Sequence, residues 1–217
     1  MNSDPTTVFF TPMDHPGLIC LFQEENFAYL TPTSKCIADF KDLKTVSDLE
    51  GKEYKLEESK YDKKSYCINS PSVGIGDVFT PTTPLIETKY GFSGRFCGEL
   101  ACIAILMKLT EALSDKNFAV CFTAGFYSKG KAECNVMNRI KAKEAILLGV
   151  ANDPEDNVIL AVKDGKHFAS KSLSDKITEK LQNSQISLKY AVYDQASTAA
   201  ESLHSVFAEE VVSLILP

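Results

Sequence analysis

The sequence predicts an α/β protein with a largely parallel or mixed sheet and a small β-rich insert. After Thr83, apolar strand-like runs alternate with helical segments through the rest of the 217-residue chain. Between Lys35 and Thr83 the chain is charged, rich in turns and without a long helical period. This change in composition indicates a separate β-rich unit, inserted between the first strands and the main helix.

The N-terminal part of the chain predicts strands. "TTVFFTPMD" (6–14) is a β-branched and aromatic run, typical of a buried strand that ends in a polar turn. "GLICLFQEENFAYLTPT" (17–33) predicts a hairpin with "EEN" at its tip. We therefore expect a core domain of residues 1–33 and 84–217, with residues 34–83 as the inserted domain.

The C-terminal part predicts alternating helices and strands, of which a helix over 98–116 is the clearest. Its sequence, "GELACIAILMKLTEALSDK", follows a glycine-rich stretch and is apolar on more than one side, as expected for a helix packed on a sheet. Ser172 or Ser174 is expected to cap a helix through "DKITEKLQNS". The other predicted elements are a strand in 117–130, a helix and a strand in 135–153, strands in 158–165 and 186–195, a helix in 197–207 and a strand in 209–217.

Composition and charge exclude several classes of partner. The net charge of −6 and the pI near 5.2 argue against nucleic acid and anionic membranes. The N-terminal "MNSDPTT" lacks the features of a signal peptide, and "LACIAILMKL" is too short to span a bilayer. The 7 cysteines include no C-x-x-C pair, so we expect reduced thiols in a cytoplasmic protein.

Several short motifs occur in an order that resembles a known peptidase family. They are PMDHPG (12–17), GIGDVFTPTTPLIE (74–87), FSGR (92–95), FTAGFY (122–127), LGV (148–150), STAA (197–200) and SLILP (213–217). In this order they resemble the glutamyl-aminopeptidase and tetrahedral-aminopeptidase family of dinuclear metallo-aminopeptidases, over nearly the whole chain. The resemblance implies a three-layer zinc-peptidase-like α/β sandwich with a mixed sheet and a small inserted β-barrel.

The same resemblance implies a metal site with altered residues. In that family a His, a bridging Asp, a Glu, another Asp and a final His hold two zinc or cobalt ions, and a further Glu is the general base. At the first His position this chain has Pro12, and at the bridging Asp position it has Ser93. The two Glu positions are Phe126 and Tyr127, and the later Asp position is Gly149.

At Asp14 this chain has the same acid as the family. The resemblance implies that this residue orients a metal-bound His. The position of the final His lies beyond Pro217. Shifting the alignment brings in no acid, because none occurs in 88–97 or in 117–132. The resemblance therefore predicts a former metal site without catalytic residues, metal ligands or a cofactor, formed by Pro12, Asp14, Ser93, Phe126, Tyr127 and Gly149.

Three functions remain open on the sequence. The leading hypothesis is a non-catalytic aminopeptidase homologue that acts by binding or assembly, and the second is a metallo-aminopeptidase with rearranged ligands. The third is a cysteine-based or small-ligand-binding activity at the reshaped site. Cys97 is the nucleophile candidate for it, since Arg95 and a helix start lie beside it and His15 or His204 supplies a base.

The chain is shorter at both ends than the family it resembles, which has further strands and helices there. Such shortening is expected to leave apolar surface uncovered, which favours self-association or a protein partner. We expect a homo-oligomer or a complex with another protein, and neither nucleic acid nor membrane as a partner.

Overall fold

The computed structural model describes residues 5–14, 16–33, 43–62, 65–82, 86–89, 91–94, 96–113, 117–124, 132–150, 157–203 and 208–217. The chain forms two compact units. An α/β unit comprises Met1–Asp14 and Phe96–Pro217, and a β unit comprises His15–Arg95.

Strands precede the first helix of the described chain, and helices alternate with strands after it. The strands are β1 Thr7–Pro12, β2 Leu18–Glu24, β3 Phe27–Pro32, β4 Thr45–Ser47, β5 Glu53–Lys55, β6 Glu57–Glu58, β7 Tyr66–Asn69, β8 Val78–Pro81, β9 Ile86–Thr88, β10 Gly91–Ser93, β11 Phe118–Thr123, β12 Glu144–Val150, β13 Val158–Asp164, β14 His167–Phe168, β15 Leu188–Tyr193 and β16 Glu210–Leu216. The helices are α1 Cys97–Ala112, α2 Ala132–Ile140, α3 Lys171–Asn183 and the 3₁₀ helix η1 Ala199–Leu203.

The α/β unit is built on a mixed sheet, as the sequence predicts. Its strands follow the order β11-β1-β12-β16-β13, and both β14 and β15 pair with β13. β1 runs parallel to β11 and β12, and β12 runs parallel to β16, whereas β13 is antiparallel to β16. Among the described strands of this sheet, β11 and β15 are the outermost ones that pair over their whole length.

Helices cover both faces of this sheet, which gives the predicted three layers. Ala145 and Leu147 of β12 point to one face and pack in a cluster that contains residues of α2 and η1. Ile146 and Leu148 alternate with them and point to the other face, where α3 and α1 pack. The strand is buried on both sides, which explains why its sequence is continuously apolar.

Helix α1 lies very close to the sheet, although only part of it is buried. Cys102 and Leu106 are buried, while Leu100 and Met107 are more than half exposed. A Cβ placed on Gly98 would lie 2.9 Å from the side chain of Val150 in β12. The glycine therefore permits the close approach of the first turn of α1 to the sheet.

The β unit corrects the predicted domain boundaries. Its 7-stranded sheet has the order β5-β4-β8-β2-β3-β7-β6, and Leu56 alone separates its terminal strands β5 and β6 in the chain. The hairpin of β2 and β3 belongs to this sheet, as do the pairings of β2 with β8 and of β3 with β7. Residues 17–33 and 84–95 thus lie outside the α/β unit. The sequence does not reveal this for the hairpin, because an apolar hairpin carries no signal of which sheet it joins.

Two other predictions about helices need correction. The N-cap of α3 is Ser170, without a side-chain capping bond, and the Ser174 hydroxyl donates instead to the Ser170 carbonyl. The helix predicted in 197–207 is represented in the described residues by the short η1. None of the helices in the described part of the chain is long and apolar enough to cross a membrane.

Candidate functional site

A small cleft lies at the carboxyl ends of β1 and β12, beside the start of α1. This strand-end cleft has a volume of about 50 Å³. Ligands of α/β proteins bind beyond the carboxyl ends of parallel strands, so this is the expected place for a site. The described residues that line it are Thr11, Pro12, Glu99, Cys102, Leu148, Gly149, Val150 and Ser197.

Gly149 sits where a side chain has no room. A Cβ at this position would lie 2.9 Å from the Ser197 carbonyl oxygen, 2.9 Å from Thr198 Cγ2 and 3.1 Å from Ile215 Cδ1. Contacts this short are repulsive in a close-packed interior. The turn at residues 197–198 therefore occupies the volume that any larger residue at position 149 would need.

Asp164, at the end of β13, holds that turn in place. Its buried carboxylate accepts hydrogen bonds from the backbone N–H groups of Ser197 at 2.5 Å and Thr198 at 3.1 Å. The hydroxyls of Thr198 and Ser213 donate to its Oδ2 at 2.5 and 2.8 Å. Four donors satisfy the buried charge, and they fix Ser197 against Gly149.

The thiol of Cys102 lies on the α1 side of the strand-end cleft. Its Sγ lies 3.7 Å from the carbonyl oxygen of Gly149, to which it donates. Burial raises the pKa of Cys102 to about 11, although a hydrogen bond with Thr11 acts in the opposite direction. The thiol is therefore protonated at neutral pH, and a protonated thiol is a poor nucleophile.

A second buried carboxylate lies at the end of β11. Pro12 of β1 is paired with Thr123, whose hydroxyl donates to Glu133 Oε1 at 2.5 Å. Glu133 is 2% exposed and belongs to the first turn of α2. An acid in the first turn of a helix is a common pattern. Glu133 therefore carries no sequence signal that separates it from an exposed capping residue.

The structure brings together some of the residues predicted for the former metal site. Pro12 and Gly149 both line the strand-end cleft, and the half-buried Asp14 follows the end of β1. Ser93 lies in β10, which belongs to the β unit. Phe126 and Tyr127 lie outside the described residues, so their predicted place remains a prediction.

Cys97 is the first residue of α1 and is half-buried, but it is not among the residues that line the strand-end cleft. Its predicted partners Arg95, His15 and His204 lie outside the described residues. Among the residues that the structure describes, no group of three or more His, Cys, Asp or Glu side chains is arranged to hold a metal ion.

Comparison with known proteins identifies the fold. No family model matches the sequence, and no curated protein matches it either. The TET aminopeptidase from the marine sediment archaeon Thaumarchaeota archaeon SCGC AB-539-E09 is 12% identical, with a TM-score of 0.82 over 100% of this chain and 75% of that chain. PhTET1-12s, a dodecamer in the asymmetric unit, is 13% identical, with a TM-score of 0.83 over 100% and 75%.

A further solved structure is the Pyrococcus horikoshii TET1 peptidase, which can assemble into a tetrahedron or a large octahedral shell. It is 14% identical, with a TM-score of 0.77 over 99% of this chain and 76% of that chain. The chain therefore has the fold of these aminopeptidases. Identities this low establish the fold and leave the chemistry of the site to be judged from its own residues.

Proposed function

We propose that this chain is a non-catalytic homologue of a metallo-aminopeptidase and acts by binding or assembly. The observation that carries the proposal is the packing around Gly149. The family resemblance places a metal-ligating Asp at this position, whereas here the Ser197 carbonyl oxygen and Thr198 Cγ2 would each lie 2.9 Å from a Cβ. A carboxylate at this position requires the turn held by Asp164 to move.

The donor groups of the strand-end cleft support the same proposal. Its described lining offers one carboxylate, that of Glu99, and one thiol, that of Cys102. A dinuclear zinc site needs a larger set of carboxylate and imidazole donors, and a bridging group between the two ions. The proposal therefore includes no resident metal ion and no other cofactor.

The size of the strand-end cleft is also relevant. Its volume of about 50 Å³ accommodates a few water molecules. Two ions separated by about 3.5–4 Å, together with the terminus of a peptide, need considerably more space. Thr11, Leu148 and Val150 are among the residues that line this small space.

Assembly is the positive part of the proposal. Proteins of this fold form a dodecamer in PhTET1-12s and a tetrahedron or an octahedral shell in the TET1 peptidase. We extend this to the present chain as a cytoplasmic homo-oligomer or as a subunit beside another protein. The net charge of −6 makes nucleic acid and anionic membranes poor partners.

Metal analysis combined with a peptidase assay tests the proposal. The purified chain is dialysed against Zn²⁺ or Co²⁺, freed of excess ion and measured by mass spectrometry for metal and with amino-acid anilides for activity. We expect neither stoichiometric metal nor hydrolysis.

A matched pair of variants on α1 sharpens this test. Glu99 lines the strand-end cleft, whereas Glu111 is exposed and forms an ion pair with Lys108. Two bound ions that are lost in Glu99→Gln and retained in Glu111→Gln would establish a metal site with rearranged ligands and overturn the proposal. Rapid alkylation of Cys97 alone, with loss of a measurable activity, would overturn it in favour of a cysteine-based enzyme.

A further inference from the structure

The two outer strands of the α/β sheet differ in how they are protected. β15 contains Lys189, and the adjoining Asp194 forms an ion pair with Lys163 at 2.9 Å. β11, with the sequence FAVCFT, has no charged residue and no proline, and its pairing with β1 has no bulge. Natural proteins usually protect an outer strand by one of these devices, because an unprotected edge pairs with another strand.

The backbone of β11 presents one set of hydrogen-bonding groups outward. The carbonyls of Asn117 and Thr123 accept bonds from the N–H groups of Thr6 and Met13, so the odd-numbered residues face β1. Successive residues of a strand direct their N–H and C=O groups to opposite sides. The N–H and C=O groups of Phe118, Val120 and Phe122 therefore point away from β1, where no described strand pairs with them.

The side chains of β11 are complementary to those of a second copy of the same strand. An antiparallel arrangement with its twofold axis at Val120 places Phe118 of each copy opposite Phe122 of the other. These are the residues whose backbone groups point outward, so the three facing pairs are hydrogen-bonded pairs. Aromatic pairs across strands are stabilising, and no like charges meet, because β11 carries no charge.

Apolar surface lies on the same face of the sheet as these side chains. Val120 packs in the cluster that contains Cys102 and Leu106 of α1. Phe122 is 40% exposed. A second copy paired along β11 has this ring available to bury against its own Phe118.

We infer that β11 is the self-association surface of this chain, and that two copies pair antiparallel through it to form one continuous sheet. The inference rests on the proposed role in assembly and specifies the surface for it. The partner is a second copy of this chain, because two antiparallel β11 strands bring aromatic and β-branched side chains opposite each other without like charges. Such a contact is isologous, since each copy supplies the same strand.

Oligomeric state tests the inference with two matched variants. Phe122→Lys places a charge on β11, and Val192→Lys places one on β15, where Val192 is 64% exposed. By light scattering and sedimentation, we expect Phe122→Lys to lower the mass of the wild-type assembly about twofold, and Val192→Lys to leave it unchanged. A folded Phe122→Lys variant with wild-type mass, or an equal loss of mass in Val192→Lys, overturns the inference.

Amide hydrogen exchange tests it without any substitution. The N–H groups of Phe118, Val120 and Phe122 are expected to be protected at high protein concentration and to exchange freely after dilution into monomers. Those of Ala119 and Cys121 are expected to stay protected in both, because they bond to β1. Equal exchange of the first three at both concentrations, or a wild-type protein that is monomeric throughout, contradicts the inference.

These outcomes separate the inference from the proposed function. An assembly that persists in Phe122→Lys leaves homo-oligomer formation standing through another surface. A monomeric wild-type protein removes self-assembly but does not affect the prediction of a metal-free cleft. Stoichiometric metal with hydrolysis overturns the non-catalytic role without affecting β11.

Discussion

Two buried carboxylates of the α/β unit are placed in different ways. Asp164 is 0% exposed and receives four hydrogen bonds, two from backbone N–H groups and two from hydroxyls. Glu133 is 2% exposed, and among the described residues its hydrogen bond comes from the Thr123 hydroxyl. Asp164 thereby organises a turn, whereas Glu133 joins the end of one strand to one helix.

A third acid, Glu144, is only half-buried and lies nearer to solvent. It bonds to the Thr7 hydroxyl at 2.7 Å and to Lys176, whose ammonium also reaches Glu210. Burial raises the pKa of Glu144, but the Thr7 and Lys176 contacts outweigh it, and the pKa lies below its usual range. We therefore expect the acid with the most fixed donors and the deepest burial, Asp164, to contribute most to the free energy of unfolding.

The largest effect is expected for Asp164→Ala. This change leaves two backbone N–H groups and two hydroxyls of Ser197, Thr198 and Ser213 without their acceptor. The Thr198 and Ser213 hydroxyls lie 2.8 Å apart and can then bond to each other, which reduces the number of unsatisfied groups. Because each remaining unsatisfied buried group costs about 1–3 kcal/mol, we expect the free energy of unfolding to fall by about 3–5 kcal/mol. Urea unfolding measures this, with the exposed Asp194→Ala as the control. Equal midpoints for the two variants would contradict the anchoring role of Asp164.

Gly149→Ala is expected to have the next largest effect. The added methyl meets the Ser197 carbonyl oxygen and Thr198, and overpacking of this kind costs about 1–3 kcal/mol. Gly74→Ala is the matched control, since its nearest neighbour is the Asp77 side chain at 3.7 Å. In a double-mutant cycle, the cost of Gly149→Ala should be smaller in the Asp164→Ala background, where the turn is free to move. Full additivity would show that Asp164 does not hold the turn.

Thr123→Val should destabilise the protein less than Asp164→Ala. It removes the hydroxyl that donates to Glu133, and one lost donor to a buried charged group corresponds to about 1–3 kcal/mol. Thr178→Val is a control, because the Thr178 hydroxyl bonds to the exposed Tyr190 hydroxyl at the surface. A loss of stability as large as that of Asp164→Ala would show that the one bond to Glu133 matters as much as the four bonds to Asp164.

Cys102 is a buried acid of another kind, a thiol that stays protonated and neutral at neutral pH. Its pKa is raised by burial from 9.0 to about 11, so the folded state favours the protonated thiol. This contribution to stability is present below pH 9 and is lost as the pH rises towards 11. Alkylation of Cys102 in the folded protein should therefore be negligible at neutral pH, and Cys102→Ala should remove part of the alkaline loss of stability. Rapid alkylation of native Cys102 at pH 7 would disprove this.

The smallest effect is expected for Lys176→Met. Loss of the ammonium should raise the pKa of Glu144, because the Thr7 hydroxyl is then left to oppose the effect of burial. A proton titration of Glu144 followed by NMR measures the shift. Lys171→Met is the control, since Lys171 pairs with Asp175 on the exposed side of α3. The same pKa of Glu144 in both variants would show that Lys176 has no part in it.

Local sequence signals were sufficient to predict six of the seven strands in the α/β sheet, whereas Pro12 and Gly149 at the strand-end cleft were singled out by the family resemblance. β1 and β12 are apolar runs, and their ends place Pro12 and Gly149 at one edge because parallel strands end together. Neither Asp164 nor Glu133 was predicted. The partners of Asp164 lie 33 to 49 residues away in the chain, so no local pattern marks it as different from an exposed acid.

Domain boundaries show a similar limit of local patterns. The hairpin of β2 and β3 was predicted correctly as a hairpin, with its turn between Glu24 and Phe27. It was assigned to the α/β core, although β8 and β7 pair with it in the β unit. Alternation and turn residues specify that two strands pair with each other, but they do not specify the third strand.

The sequence by itself determined the order of strands and helices in the α/β unit, and it determined that residues 12, 93, 126, 127 and 149 are a proline, a serine, two aromatic residues and a glycine. These properties are read from neighbouring residues. The tertiary structure alone decided that the 197–198 turn fills the space beside Gly149, that Asp164 holds it, and that the uncharged β11 is an outer strand. Those features depend on contacts between distant segments, which form only when the chain packs and buried polar groups find their partners.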